Sequence, residues 1–160
     1  MDSEDYIDSI KEQLKAYDFE KVDIVEQSGY ICFRRVRSRL LREQEELVFI
    51  TELESSNVDE LKSHFDEVTD SGQAIFSEEQ TRAKRQWYFV AVTRSASRAL
   101  RVATERGSKK FSIGDSLGVC FLPVLIDVEE SRLKSGNVSM KNKVTHLTEM
   151  KDNADDYFII

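Results

Sequence analysis

Two stretches, "QWYFVAVT" at 86–93 and "GVCFLPVLIDV" at 118–128, set the narrowest limit on what this chain can fold into. Each is apolar at successive positions rather than at alternate ones. A strand built from either offers an apolar surface on both sides. Such strands belong in the middle of a sheet covered on both faces, the arrangement of parallel and mixed α/β sheets. Between them Ala96, Ala99, Leu100 and Ala103 mark a helix over 95–106, stopped at Gly107. Pro123, inside the second run, predicts an edge or a bulge there, because proline gives a ladder no N–H.

The remaining segments fit around these two. Ile7, Ile10, Leu14 and Tyr17 recur at helical spacing and predict an amphipathic helix over 3–17. "KVDIVEQ" at 21–27 reads as a strand turned by Ser28-Gly29, and "YICFRRVR" at 30–37 as a second. A polar turn around 38–45 leads to a third strand at 46–54, so the three form an antiparallel meander. Ser56 and Asn57 are candidate helix N-caps, with Asp59 and Glu60 three residues after each. Val58, Leu61, Phe65 and Val68 give that helix its apolar stripe. Gly72 ends or bends it, and a short helical piece is predicted from Ser77. After Glu129 the pattern weakens: "LKSGNVSMK" is read as a hairpin and "DDYFII" as a short strand or docking tail. The order αβββαβαβ predicts one α/β domain over 1–160, with a C-terminal extension from about 129. Its sheet is mixed and flanked by helices, with a right-handed crossover from the third strand to the fourth.

Composition narrows the functional classes. At 160 residues, 40% hydrophobic and 33% charged, the chain is long enough for a core of its own. The longest apolar stretch, 117–126, is too short to span a bilayer, and the acidic start has the wrong sign for a secretory leader. Cys32 and Cys120 both sit in strand-like runs and read as small buried hydrophobes rather than a disulfide or a metal pair. A cytoplasmic protein without a membrane segment is expected.

The net charge of −7 is unevenly distributed. Residues 30–42 hold five arginines and no acid, 43–79 hold twelve acids against Lys62 alone, and 80–110 hold nine bases against Glu105. Segregation of this kind makes oppositely charged elements neighbours in the fold, or makes a face for a partner. Arg94, Arg98 and Arg101 are spaced to line one side of the 95–106 helix and are the candidate nucleic-acid contacts. Trp87 and Tyr88 could stack on bases, but they open a strand that reads as buried, which favours a core role.

The element order, with the opening "LKAYDFEKVDIVEQSGYICF" and the "FITELESS" that follows, resembles the core of the restriction-endonuclease-like, or PD-(D/E)xK, nuclease fold. The resemblance covers roughly residues 3–128 and lies in topology more than in motif. It implies a metal site in which an Asp on the second strand and an acidic-x-Lys on the third hold Mg²⁺ or Mn²⁺ and activate a water. Glu52-Leu53-Glu54 falls where acidic-x-Lys would. On that reading Glu52, Glu54 and Glu12 are the metal ligands, and Lys62 is a displaced lysine joining the two glutamates as catalytic residues. A hairpin turning near residue 42 sets Cys32, not an aspartate, opposite Glu52, and no carboxylate occurs from 27 to 42. Asp23 and Glu26 come too early for the motif. The plain alternative is a strand running out into solvent, its glutamates paired with Arg35 or Lys62.

"IGDSLG" at 113–118 is similar to the nucleophile block of the GDSL esterases, but that family also needs an Asp three residues before its His, and Lys143 stands there before His146. Ser116 is therefore read as a turn residue. His64 and His146 are too few for a histidine metal cluster, and His64 is expected to be exposed beside the acidic helix. No phosphate-cradling glycine loop is present. The expectation is a non-catalytic domain without a cofactor, binding a protein partner or a second copy. The alternatives are the Mg²⁺- or Mn²⁺-dependent nuclease and a nucleic-acid-binding module without cleavage.

Overall fold

The structure, a computed structural model, describes residues 1–23, 30–39, 42–54, 56–76, 84–112, 118–138 and 145–159, the side chains of 39, 42, 71–76, 84, 112 and 145–146 aside. Among them are four helices and a seven-stranded mixed sheet. The chain begins with α1 (Ser3–Ala16), capped by Asp2, whose side chain accepts from the Asp5 N–H while Asp5 reaches back to the Asp2 N–H. Strands β1 (Glu20–Val22), β2 (Ile31–Arg39) and β3 (Arg42–Leu53) form the predicted antiparallel meander.

Helix α2 (Val58–Phe76) starts at Asn57 rather than Ser56, the Asn57 side chain accepting from the Asp59 N–H. It runs through Gly72 without stopping; the piece expected from Ser77 lies outside the described residues. Strand β4 (Lys84–Thr93) returns parallel to β3. Helix α3 (Arg98–Glu105) is capped by Ser97. Strand β6 (Gly118–Asp127) then lies parallel to β4, so both two-faced runs are central.

Two corrections concern the predicted turn and the C-terminal third. Residues 38, 39 and 42–45 are strand, not turn, because Arg35, Val36 and Arg37 pair directly with Glu46, Glu45 and Gln44. After β6 the hairpin comes earlier than expected, through the turn 128–131 to β7 (Arg132–Ser135). The segment "DDYFII" ends a helix, not a strand: α4 (Thr145–Phe158) buries Leu147, Met150, Ala154, Tyr157 and Phe158 along one stripe. The observed order therefore adds two short strands and a helix to the expected αβββαβαβ.

Strand order is β1-β2-β3-β4-β6-β5, where β5 is Lys109–Ser112, and β7 shares the outer edge of β6 with β5. Pro123 falls between the two. β5 pairs 118–121, β7 pairs 124–127, and the Pro123 carbonyl accepts from the Gly136 N–H at 2.9 Å. In a strand a residue's N–H and C=O point the same way, so the donor that proline lacks faces the gap between the short strands. The edge expected from Pro123 is thus a local one, on a strand otherwise paired on both sides.

Alternation divides the core in two. Phe33, Val48, Tyr88 and Leu122 face α1 and α4, while Leu47, Trp87, Phe89 and Phe121 face α2 and α3. Trp87 and Tyr88 are fully buried, as a core role requires. No helix among the described residues is long and apolar enough to cross a membrane.

Candidate functional site

A concavity of about 780 Å³ lies between α2 and α3. Its floor is apolar: Val58 and Phe65 from α2, and Ala99, Val102 and Ala103 from α3. The gap follows from side-chain size. Helix α3 buries Leu100, Ala103 and Thr104, and between Arg98 and Arg106 it lines the groove with alanine and valine alone. Gly107 closes the far end. A Cβ there would lie 2.9 Å from Pro123 Cγ and 3.0 Å from Phe65 Cε2, so only glycine lets the chain pass this close to β6.

Lys62, Arg98 and Arg106 rim the groove, and all three are exposed. None of them forms an ion pair among the described residues. Helix α2 therefore does not neutralise α3, although the two carry the acidic and basic blocks of the sequence and touch each other.

The candidate arginines are divided rather than aligned. Arg98 joins the groove. Arg101 is half-buried and folds back to donate to the Ala96 carbonyl at 3.2 Å. Arg94 lies at the C-terminal ends of the strands, in a separate concavity of about 600 Å³ with Glu52, Glu129, Asp2 and Glu4.

The candidate carboxylates are also apart. Glu52 and Glu54 are exposed at the end of β3, and Glu12 is exposed on α1, paired with Lys15 at 3.1 Å. Glu12 lines a different depression, and Lys62 points into the α2–α3 groove. Among the described residues no three of His, Cys, Asp and Glu are placed to hold a metal ion.

The expected register is overturned. Cys32 pairs with Phe49, and the ladder would carry Glu52 to position 29, outside the described residues. The hairpin turns nearer its arginines than expected, which shifts every partner by three. Arg35, offered to Glu52 or Glu54 by the sequence, instead holds Glu46 at 2.7 Å. The block at 113–117 and its Ser116 lie outside the described residues, as does the His146 side chain.

Two polar clusters were missed. At the start of β3, Glu46 is 0% and Glu45 1% exposed, on opposite faces of the sheet. Glu46 accepts from Arg35, from Arg37 at 2.8 Å and from the Tyr157 hydroxyl at 2.9 Å; Arg35 also reaches that hydroxyl and stacks on Phe19. Glu45 is held by Arg34 at 2.7 Å, with Arg85 beside it. The facing strings "RRVR" and "EQEE" carried that signal, hidden by the turn placed over 38–45.

The second cluster joins β2 to α2. His64 is half-buried, not exposed, with its Nδ1 2.6 Å from the Tyr30 hydroxyl, which donates to Glu67 at 2.7 Å. Burial first, then the Glu67 carboxylate, push the Tyr30 hydroxyl well above its ordinary pKa. Both clusters tie elements together, and Arg34, Arg35 and Arg37 of the first also line a concavity of about 490 Å³ with Asp18, Glu20 and Lys21. Beyond this geometry, the chain matches no protein-family model, no curated protein and no solved structure.

Proposed function

We propose that this chain is a non-catalytic domain of restriction-endonuclease-like topology that acts by binding another macromolecule through the α2–α3 face. The observation that carries the reading is an apolar groove rimmed by three cations with no ion-pair partner among the described residues. Solvent-facing apolar floors of this kind are typical of interaction surfaces. The antiparallel β1–β2–β3 meander and the parallel β3–α2–β4 unit support the topology. The buried free thiols of Cys32 and Cys120 fit a reducing compartment such as the cytoplasm.

Binding is tested by fluorescence anisotropy of the full chain against three probes: an acidic amphipathic helical peptide, duplex DNA and single-stranded RNA. Under this reading the peptide binds, and Arg98→Glu weakens it by about tenfold or more through like-charge juxtaposition at the groove. Nucleic acid bound in place of the peptide would instead favour the non-cleaving nucleic-acid module. No probe bound, together with a strict monomer, removes the reading. The nuclease alternative has its own test. Plasmid nicking with Mn²⁺, or a Mn²⁺-dependent rise in Tm abolished by Glu52→Ala, would show chemistry where none is proposed.

A further inference from the structure

The solvent-facing side of α2 carries Asp59, Ser63, Asp66 and Asp70, all exposed and spaced at i, i+4, i+7 and i+11, which places them on one ridge. None of the three aspartates has an ion-pair partner among the described residues. The ridge stands directly beside the groove, since Lys62 is three residues after Asp59 and four before Asp66. Among the described residues, an acidic ridge and a basic groove thus stand side by side with no ion pair closing either.

We infer that the occupant of the α2–α3 groove is a second copy of this chain, related by a twofold axis. In that arrangement each copy's Asp59–Asp66–Asp70 ridge lies over the other copy's Lys62, Arg98 and Arg106. The inference rests on the groove reading and names its partner.

Three features favour this occupant. The lengths correspond: the eleven helical rises from Asp59 to Asp70 span about 16 Å, and the eight from Arg98 to the C-cap Arg106 about 12 Å. Side chains on the ridge are short, with Ser63 at its centre, so the helix can approach a floor of alanine and valine closely. A twofold contact is reciprocal, so one arrangement neutralises both ridges and both rims and then closes. Nucleic acid fits less well. A phosphate chain reaching Lys62 would meet Asp59 and Asp66 on the same helix, and its binding energy comes mainly from neutralised phosphates.

The test is sedimentation velocity on the full chain over a concentration series at low and high salt. A monomer–dimer equilibrium is expected at low salt, weakened about tenfold or more at high salt because exposed charges are screened. Two surface-reversed variants follow, Arg98→Glu/Arg106→Glu and Asp59→Lys/Asp66→Lys. Each alone should lose the dimer, since like charges meet twice about the axis. An equimolar mixture should recover it, because one half of the interface is then native and in the other two charges on each side are exchanged. Melting curves check that both variants fold.

A wild-type chain that stays monomeric at low salt overturns the inference. So does a mixture that fails to recover the dimer while both variants are folded. In either event the peptide assay separates the two levels. Acidic peptide bound by wild type and lost in Arg98→Glu leaves the groove with a different protein partner, and no binding removes both readings.

Discussion

Glu46 is a carboxylate with no access to water, held by Arg35, Arg37 and Tyr157. Its worth lies in completeness: Tyr157 is buried and Arg35 nearly so, while Arg37 keeps partial access to water. Removing the carboxylate leaves two guanidinium groups without their buried counter-charge, and a pair broken in this way costs about 3–5 kcal/mol. Glu46→Ala is therefore expected to lower unfolding stability by about that amount in urea titration, whereas Tyr157→Phe, which removes the hydroxyl's bonds to Glu46 and Arg35 but keeps the ion pairs, costs about 1–3 kcal/mol. A change below about 1 kcal/mol for Glu46→Ala would show that the cluster is not held as described. The residues of this cluster were visible in the sequence as charges. Their burial was not, because a register moved by three sets Arg35 opposite a different side chain. Strand pairs convert a small error in turn position into a wrong partner at every rung.

Where β4 and β6 end, Asp127 fastens both. One of its oxygens accepts from the Ala96 N–H and the other from the Glu130 N–H, each at 2.9 Å. The Val128 and Glu129 N–H groups add to this by reaching the Thr93 and Arg94 carbonyls. Asp127 is 4% exposed, and its loss leaves the part-buried Ala96 and Glu130 N–H contacts without their acceptor. Asp127→Ala should cost about 2–3 kcal/mol, and Asp127→Asn less, since the amide keeps one acceptor. Native-state hydrogen exchange would locate the effect: the Ala96 and Glu130 amides should lose protection, and unchanged exchange would refute the clamp. Elements with their own periodicity were legible, above all the two-faced strands and the capped α2. The strands β5 and β7 were not, because four residues apiece gain order from the edge of β6 rather than from their own pattern. Helix α4 hid its stripe among Lys151, Asp152, Asp155 and Asp156 and closed on residues of strand type. The groove was illegible for a further reason. Lys62 and Arg98 belong to helices on either side of β4, and only the sheet brings them together.

Burial makes the Cys32 thiol and the Tyr30 and Tyr88 hydroxyls titrate late, and this bears on the behaviour of the chain in alkali. Burial pushes the Cys32 thiol from 9.0 up to about 12. Below pH 9 both the folded and unfolded chains keep that proton, and its contribution is whole. Between 9 and about 12 the unfolded chain gives it up first, so stability falls with rising pH, by at most about 1.4 kcal/mol per pH unit. Tyr30 and Tyr88, raised chiefly by burial, add the same sign above pH 10. Urea midpoints should thus decline from about pH 8 to about pH 10.5, and Cys32→Ala should flatten the decline below pH 10. A midpoint that rises over this range would contradict the burial of these groups.

The short strands at the rims of the sheet have a consequence for how the protein can assemble. At one rim β1 covers only positions 32–34 of β2, and what continues beyond is the arginine-studded run Arg35–Arg39. At the other, two four-residue strands divide the edge of β6 at a proline. Among the described residues neither rim offers a long, flat, uncharged ladder, an arrangement that disfavours open-ended strand addition, the route to fibres. Association is left to the helical faces, where contacts are made by side chains and can stop at two. In the proposed dimer what would join the copies is charge and not backbone, so salt would release them.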